Sequence, residues 1–437
     1  MSIVGIGAPP TVSGAINLAS FIANVKDYGA RGDGIADDTI PIQNAMNAAA
    51  VSGGAVLLPP GQYAINSRLR LGAVLPPDNV LISGYGATIK PLATFPTGTQ
   101  VFRLGDSGSG REATNLTVEG LKIDMSLCTG STTIGIALFA KQRCTLRDVS
   151  VFNAPQHAFN LAGLAGTPTE ILVDHCYAQD CQGNGFLFAS NVSYSIIHDS
   201  GAKNINISQL GAGFYIFSGD NNTLDNCWCD TSGNNGFRIG TSNNTAINCR
   251  ALNINGEGFR LTSSSGSQSK SSCVNCVVSG VYSGSAHAFR ASGHTDGSFI
   301  NCRANGATGG ANGVRIDNLD GAVKGIRVIG CEFDAMQPGG GIGDGVNITS
   351  GTFHQIVGCT FKNMGRDGVH ADNVTDVIVS GCISYDDQGT KTQAYAVRTT
   401  GTSDRFTIVG NSIRAADHLT GSTSLVGAAN ITANNQV

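Results

Sequence analysis

Apolar and polar residues alternate along most of the chain in short runs, and Gly, Asn or Ser closes each run. Runs of that length and period predict strands rather than helices. One segment breaks the rule. Ile42, Ala45, Met46 and Ala49 fall at i, i+3, i+4 and i+7, which predicts a helix with one apolar face. Asp38 or Thr39 can cap its start, Pro41 is tolerated in its first turn, and Gly53–Gly54 stop it. The following AVLLPPGQYAI reads as strand, turn, strand.

The alternating runs recur as one motif: a small residue, then Phe or Val, then any residue, then usually an apolar one. Its centres are Phe159, Phe186, Phe214, Phe237, Phe259, Phe289, Val314, Val346, Val369 and Val397, spaced 22 to 32 residues apart. A second series keeps step with it: Cys176, Cys227, Cys249, Cys276, Cys302, Cys331, Cys359 and Cys382, with Asn411 in the next place. Each cysteine follows a β-rich run such as SFINC or HQIVGC. Two or more short strands per repeat, with no helix between them, predict a parallel β-solenoid whose turns stack about 4.8 Å apart. The cysteines then pile up at a tight inner corner, where a small apolar side chain fits. Metal binding is the weaker reading, because Cys273–Cys276 has no second pair at zinc-finger spacing. The helix near residue 40 would cover the open first turn, whose bare strand edges would otherwise aggregate. The expected organisation is a linker or attachment segment over 1–24, a cap and first coils over 25–98, and the β-solenoid over 99–437.

Composition narrows the function classes. The 437 residues carry 27 Lys+Arg and 31 Asp+Glu, a net charge of −4, which argues against a general nucleic-acid binder. With 41% hydrophobic and 13% charged residues the chain is not a disordered tail. No apolar run is long enough to span a membrane as a helix. Thirteen cysteines, an odd number, give poor support for a disulfide framework. The N-terminus lacks a basic region and is interrupted by Pro9–Pro10, so no classical signal peptide is expected.

Strand alternation turns the residue after each Phe or Val outward. Those residues are Asn160, Leu187, Tyr215, Arg238, Arg260, Arg290, Arg315, Asn347, His370 and Arg398. Four consecutive arginines on rungs about 5 Å apart repel one another unless something anionic lies alongside. Two readings follow: nearby Asp or Glu residues pair with them, or the row grips the carboxylates of an extended acidic polysaccharide. Two positions further on, Asp317 stands beside Arg315 and Asp372 beside His370. The expected catalytic set is Arg315, Asp317, His370 and Asp372. The expected substrate-binding set is Tyr215, Arg238, Arg260, Arg290, Asn347 and Arg398. No metal and no cofactor is expected. In β-elimination, Arg or Asn neutralises a uronate carboxylate and His370 or an Arg takes the C5 proton. In hydrolysis, Asp317 and Asp372 would act as acid and base.

VKDYGARGDGIADDT, a helix and then GGAVLLPPGQY resemble the N-terminal signature of the pectate-lyase superfamily. The resemblance implies an all-β, right-handed parallel β-helix with a short N-terminal capping helix, and a polysaccharide ligand. That superfamily includes exopolysaccharide lyases, hydrolases related to polygalacturonases, alginate C5-epimerases and phage tailspike depolymerases. The chain departs from several catalytic signatures. Asn160-Leu161-Ala162 stands where alginate epimerases carry Asp-Pro-His, and Asp344-Gly345 where polygalacturonases carry two aspartates. Val173-Asp174-His175 echoes a pectate-lyase triplet, with no matching Arg-x-Pro-x-x-Arg after it. Gly339 to Asp344 resembles a single calcium-binding nonapeptide and reads more simply as a glycine turn. The leading expectation is an enzyme that cleaves an acidic polysaccharide by β-elimination. The alternatives are a glycoside hydrolase on the same groove and a non-catalytic glycan-binding tail protein. A phage virion or tail, non-classical release or the cytoplasm are the expected locations. Phage members of this fold are usually trimers, so a homotrimer is one expected assembly.

Overall fold

The structure, a computed structural model, describes residues 21–436 except 74, 207–210, 264–267, 282–285, 307–309 and 337–342. Most of the expected 1–24 segment and the first four residues of the nonapeptide-like stretch, 339–342, lie outside the described residues; Ile22–Asn24 pairs in parallel with Ala55–Leu57.

The chain winds into a parallel β-helix. One sheet stacks fourteen strands along a continuous path, one from each turn, and the remaining strands form the other walls. The motif centres form an unbroken ladder in this sheet. Phe159 pairs with Phe186, Phe186 with Phe214, Phe214 with Phe237, Phe237 with Phe259 and Phe259 with Phe289, and the ladder runs on through Val314, Val346, Val369 and Val397. Identical residues in identical register stack their rings: successive centroids from Phe159 to Phe259 lie 4.5–4.8 Å apart and nearly parallel. The small residue before each centre is required by the next turn. A Cβ on Gly258 would come within 2.7 Å of the Ala288 carbonyl oxygen.

The cysteine series lies where two wall strands meet, as at Cys176 between Leu172–Asp174 and Tyr177–Gln179. Its thiols are buried and free. Each has two carbonyls within reach of its one S–H, that of the residue two earlier and one on the preceding turn, as Cys276 has Val274 and Ala246 at 3.4 Å. The double gap between Cys176 and Cys227 is filled by Ser200, whose neighbour Gly201 pairs with Tyr177.

The helix spans Thr39–Ser52, buries Ile42, Ala45, Met46 and Ala49 against the first turn, and ends at Gly53 with φ +63°. Asp38 stands at its start but makes no side-chain cap. Its carboxylate instead accepts the Arg31 and Gly32 amides at 2.6 and 2.9 Å, and Asp37 accepts the Thr39 amide at 3.0 Å. No helix among the described residues is long and apolar enough to cross a membrane.

Candidate active site

The outward positions form one vertical column. Tyr215 pairs with Arg238, Arg238 with Arg260, Arg260 with Arg290, Arg290 with Arg315, Arg315 with Asn347, Asn347 with His370 and His370 with Arg398. The like charges are relieved by carboxylates. Asp320 grips Arg260 at 2.7 Å and also accepts the Thr262 hydroxyl at 2.6 Å. Arg290 is 9% exposed and lies between Glu257 and Asp317, both at 2.8 Å. Arg315 reaches Asp317 at 3.1 Å and donates to the Asn347 carbonyl. Asp317, with two guanidiniums on it, is held below the usual carboxylate range despite its burial. It is therefore a counter-ion for Arg290 and Arg315, and its fit to the acid of a hydrolase pair is poor. Arg238 lies over the Tyr215 ring at 4.7 Å, its Nε buried without a partner, and Tyr215 meets Phe217 edge-on at 5.6 Å.

A second column stands two residues ahead of each Phe or Val, and the sequence reading did not use it: His157, Asn184, Asn235, Glu257, His287, Asn312, Asp344 and Asp367. Most of its side chains accept the main-chain N–H of the matching residue one turn on. His157 accepts from Asn184 at 2.9 Å, Asn235 from Glu257 at 3.2 Å, His287 from Asn312 at 3.3 Å, Asn312 from Asp344 at 2.8 Å, Asp344 from Asp367 at 3.2 Å and Asp367 from Tyr395 at 3.2 Å. This ladder brings buried acids beside the arginine column.

Between the two columns opens a cleft of about 610 Å³, bordered by Glu257, His287, Arg290, Asn312, Arg315, Asp317, Asn347, Arg366, His370 and Asp372 among others. Of the expected residues the cleft gathers Arg290, Arg315, Asp317, Asn347, His370 and Asp372. Arg398 stands one rung beyond, over the Tyr395 ring and 4.0 Å from Asp367. Tyr215, Arg238 and Arg260 lie further up the column and do not border it.

Arg366, absent from the expected set, is central. It donates to both oxygens of the fully buried Asp344 and to His370 Nδ1. Asn347 also points its amide at that nitrogen, 3.4 Å away, and donates to Asp344. With donors at Nδ1, the ring proton of His370 is assigned to Nε2, which faces the Thr400 hydroxyl at 3.2 Å; that hydroxyl donates to Asp372 at 2.7 Å. Asp367 is fully buried, and its Oδ2 has no hydrogen-bond partner. Burial, and then the charge of Asp344, push its pKa up to about 6. Asp344, Asp367 and His370 each bring a ligand atom within 4.8 Å of the others. The Arg366 guanidinium already serves two of those three groups, so a metal ion would have to displace it.

On the opposite wall, Asp174 and His175 of the pectate-lyase-like triplet are 2.9 Å apart, and Asp174 also meets His198 at 3.1 Å and Arg147 at 3.3 Å. His175 is largely exposed there, and neither residue borders the cleft.

A single-sheet ladder of this register, capped by one helix and cut by a lateral polar cleft, defines the class of right-handed parallel β-helices. The chain belongs to the family described as Rhamnogalacturonase A/epimerase, pectate lyase-like, which it matches over residues 22–286. Curated relatives include the mannuronan C5-epimerase AlgE6 of Azotobacter vinelandii, 36% identical over 105 residues, which is 23% of this chain and 12% of the epimerase. Alginate lyase 7 of the same organism is 47% identical over 66 residues, 14% of this chain and 8% of the lyase. The matched stretches are thus a small part of each relative's length. Among solved structures, the tailspike of Escherichia coli bacteriophage HK620 in complex with a pentasaccharide superposes with a TM-score of 0.70 at 12% identity, covering 95% of this chain and 81% of the tailspike. The AlgE6 A-module superposes at 0.55 and 20% identity, covering 95% and 99%. These likenesses establish a shared fold.

Proposed function

We propose that the chain is a carbohydrate-active enzyme that removes the C5 proton of a uronate in an acidic polysaccharide, as a lyase does in β-elimination. The carrying observation is that the partly exposed Arg366 rests on His370 Nδ1, while Arg315, also partly exposed, borders the same cleft two rungs away with Asn347 between. A uronate carboxylate is a stronger partner for Arg366 than a neutral imidazole is. Entering the cleft, it draws Arg366 and Arg315 to itself, which acidifies the C5 proton and uncovers the Nδ1 lone pair. His370 then takes that proton, the C4–C5 double bond forms as the C4–O4 glycosidic bond breaks, and the departing oxygen takes up a proton from water. The resulting imidazolium is stabilised by Asp344, 3.6 Å from Nδ1, and by Asp372 through Thr400.

Support for a uronate comes from the relatives, whose names are those of mannuronan epimerases and an alginate lyase. Epimerisation begins with the same proton removal and ends with return of a proton from the opposite face. The relatives favour it; the missing Asp-Pro-His does not. Hydrolysis has less support, because Asp317 is held ionised by its arginines.

Incubation with alginate and pectate in D₂O separates the outcomes. Rising ultraviolet absorbance from unsaturated uronate ends is expected, lowered about a hundredfold or more by His370→Ala. Deuterium at C5 without absorbance means an epimerase, and new reducing ends without absorbance mean a hydrolase. Binding without any reaction contradicts the enzymatic reading.

A further inference from the structure

His287 carries one nitrogen that the fold uses and one that it does not. Its Nδ1 faces the main-chain N–H and the side-chain amide of Asn312, both at 3.3 Å. A nitrogen that accepts leaves the ring proton on Nε2. The ring is 9% exposed and borders the cleft, and no hydrogen bond from Nε2 is found among the described residues. The charged groups around it are Arg290 on its own strand, Arg315 and Asp317 on the next turn, and Asp344 on the turn after. Burial, with the two guanidiniums, pushes its pKa down to about 3, so the ring stays neutral at any ordinary pH. Its Nε2–H thus faces the open cleft, where a ligand oxygen can replace water as its acceptor.

We infer that His287 is an uncharged hydrogen-bond donor to the bound glycan, its Nε2–H meeting a hydroxyl or carboxylate oxygen of the sugar in the cleft. The inference rests on the reading above that a glycan occupies this cleft. It assigns His287 a positioning role distinct from that of the arginines. Arg290 is spent on Glu257 and Asp317, and Arg315 acts through charge, whereas His287 selects for an oxygen acceptor at a fixed place. His157 has the same Nδ1 contact, with Asn184 at 2.9 Å, but does not border this cleft. The acceptor half of the arrangement therefore belongs to the fold, and only the donor half is available to a ligand.

The fold itself supplies the variant that separates the two halves. Asn occupies the same position at 184, 235 and 312, where its Oδ1 accepts the next turn's N–H from Ala212, Glu257 and Asp344 at 2.7, 3.2 and 2.8 Å. His287→Asn keeps that bond and withdraws the donor from the cleft. Its thermal midpoint is expected to stay at the wild-type value. Its calorimetric affinity for an oligomannuronate is expected to fall about tenfold, equally at low and neutral pH and at low and high salt. In ¹⁵N spectra of the wild type, His287 should stay in the neutral Nε2–H form at mildly acidic pH. Wild-type affinity in His287→Asn, or a protonated His287 ring there, overturns the inference and leaves the uronate reading standing. If the wild type prefers an uncharged oligosaccharide and His287→Asn weakens that binding, the uronate reading fails and the role of His287 stands. If the wild type binds neither sugar, both fall.

Discussion

Arg260 and Arg315 stand two rungs apart on one column, yet their surroundings give them opposite parts. Arg260 is clasped by Asp320 and 13% exposed, so Arg260→Ala strands a half-buried carboxylate and should destabilise the protein by about 2 kcal/mol, read as a lower denaturant midpoint. Arg315 is 26% exposed and shares Asp317 with Arg290, so Arg315→Ala should leave the midpoint nearly unchanged and weaken polyuronate binding. Asp367 allows a prediction with a definite sign. Its pKa rises on folding from 3.8 to about 6. The protonated form is thus favoured in the fold, so its contribution is complete below the unfolded pKa and is lost as pH climbs through about 6. Asp367→Asn should remove that loss, making the variant more stable than wild type at neutral pH by up to about 3 kcal/mol and flattening the stability curve between pH 4 and 6. A variant less stable than wild type at neutral pH would contradict this reading. The outward column was legible in the sequence because strand alternation fixes which way each side chain turns. The acid column was not, because it lies at or just before the start of each strand, where alternation gives no firm direction. Its signal was nevertheless present as the first letter of each motif word: EGF for Glu257, HAF for His287, NGV for Asn312 and DGV for Asp344 and Asp367. Arg366 had no signal at all, since it reaches the cleft from outside the alternating run.

At the scale of elements, the strands are held by what they stack. Phe237 lies between Phe214 at 4.8 Å and Phe259 at 4.5 Å, so Phe237→Ala opens a cavity inside a continuous column and should cost about 3–4 kcal/mol. The thiol ladder is equally closed. Twelve of the 13 cysteines are buried, and burial pushes the Cys144 and Cys176 thiols up to about 12. Thiol reagents should therefore modify at most Cys128 in the folded protein, and that slowly because burial pushes its pKa up to about 11, and all 13 after denaturation. Rapid native labelling of several residues would show that the corner opens. Both ladders were readable from spacing alone, because a stacked fold repeats its side chains. The break at Ser200 was invisible as a rung, since serine met the same geometric demand without belonging to the cysteine series. The helix stripe was also legible, but its cap was not: Asp38 is drawn away by the Arg31 and Gly32 amides, a contact made by a neighbouring loop rather than by the helix.

The whole molecule is a stack of similar turns on which function is confined to a few. Between Glu257 and Asp372 the two columns bring acids, arginines and histidines together on neighbouring turns, and the cleft opens there. The Phe/Val ladder keeps its register from turn to turn, so much of the cleft chemistry is placed by substituting residues at matching positions. A tailspike at 12% identity shares nearly the whole path of this chain, so the fold persists where few residues are held in common. The proposed reaction requires a uronate chain to lie in this cleft across Arg315, Asn347 and His370. A crystal structure of the His370→Ala variant soaked with an oligomannuronate tests it most directly. A sugar carboxylate on Arg315 and Arg366, with C5 facing the vacated imidazole position, is expected. Sugar bound on another wall, or hydroxyls rather than a carboxylate at the two arginines, would contradict it.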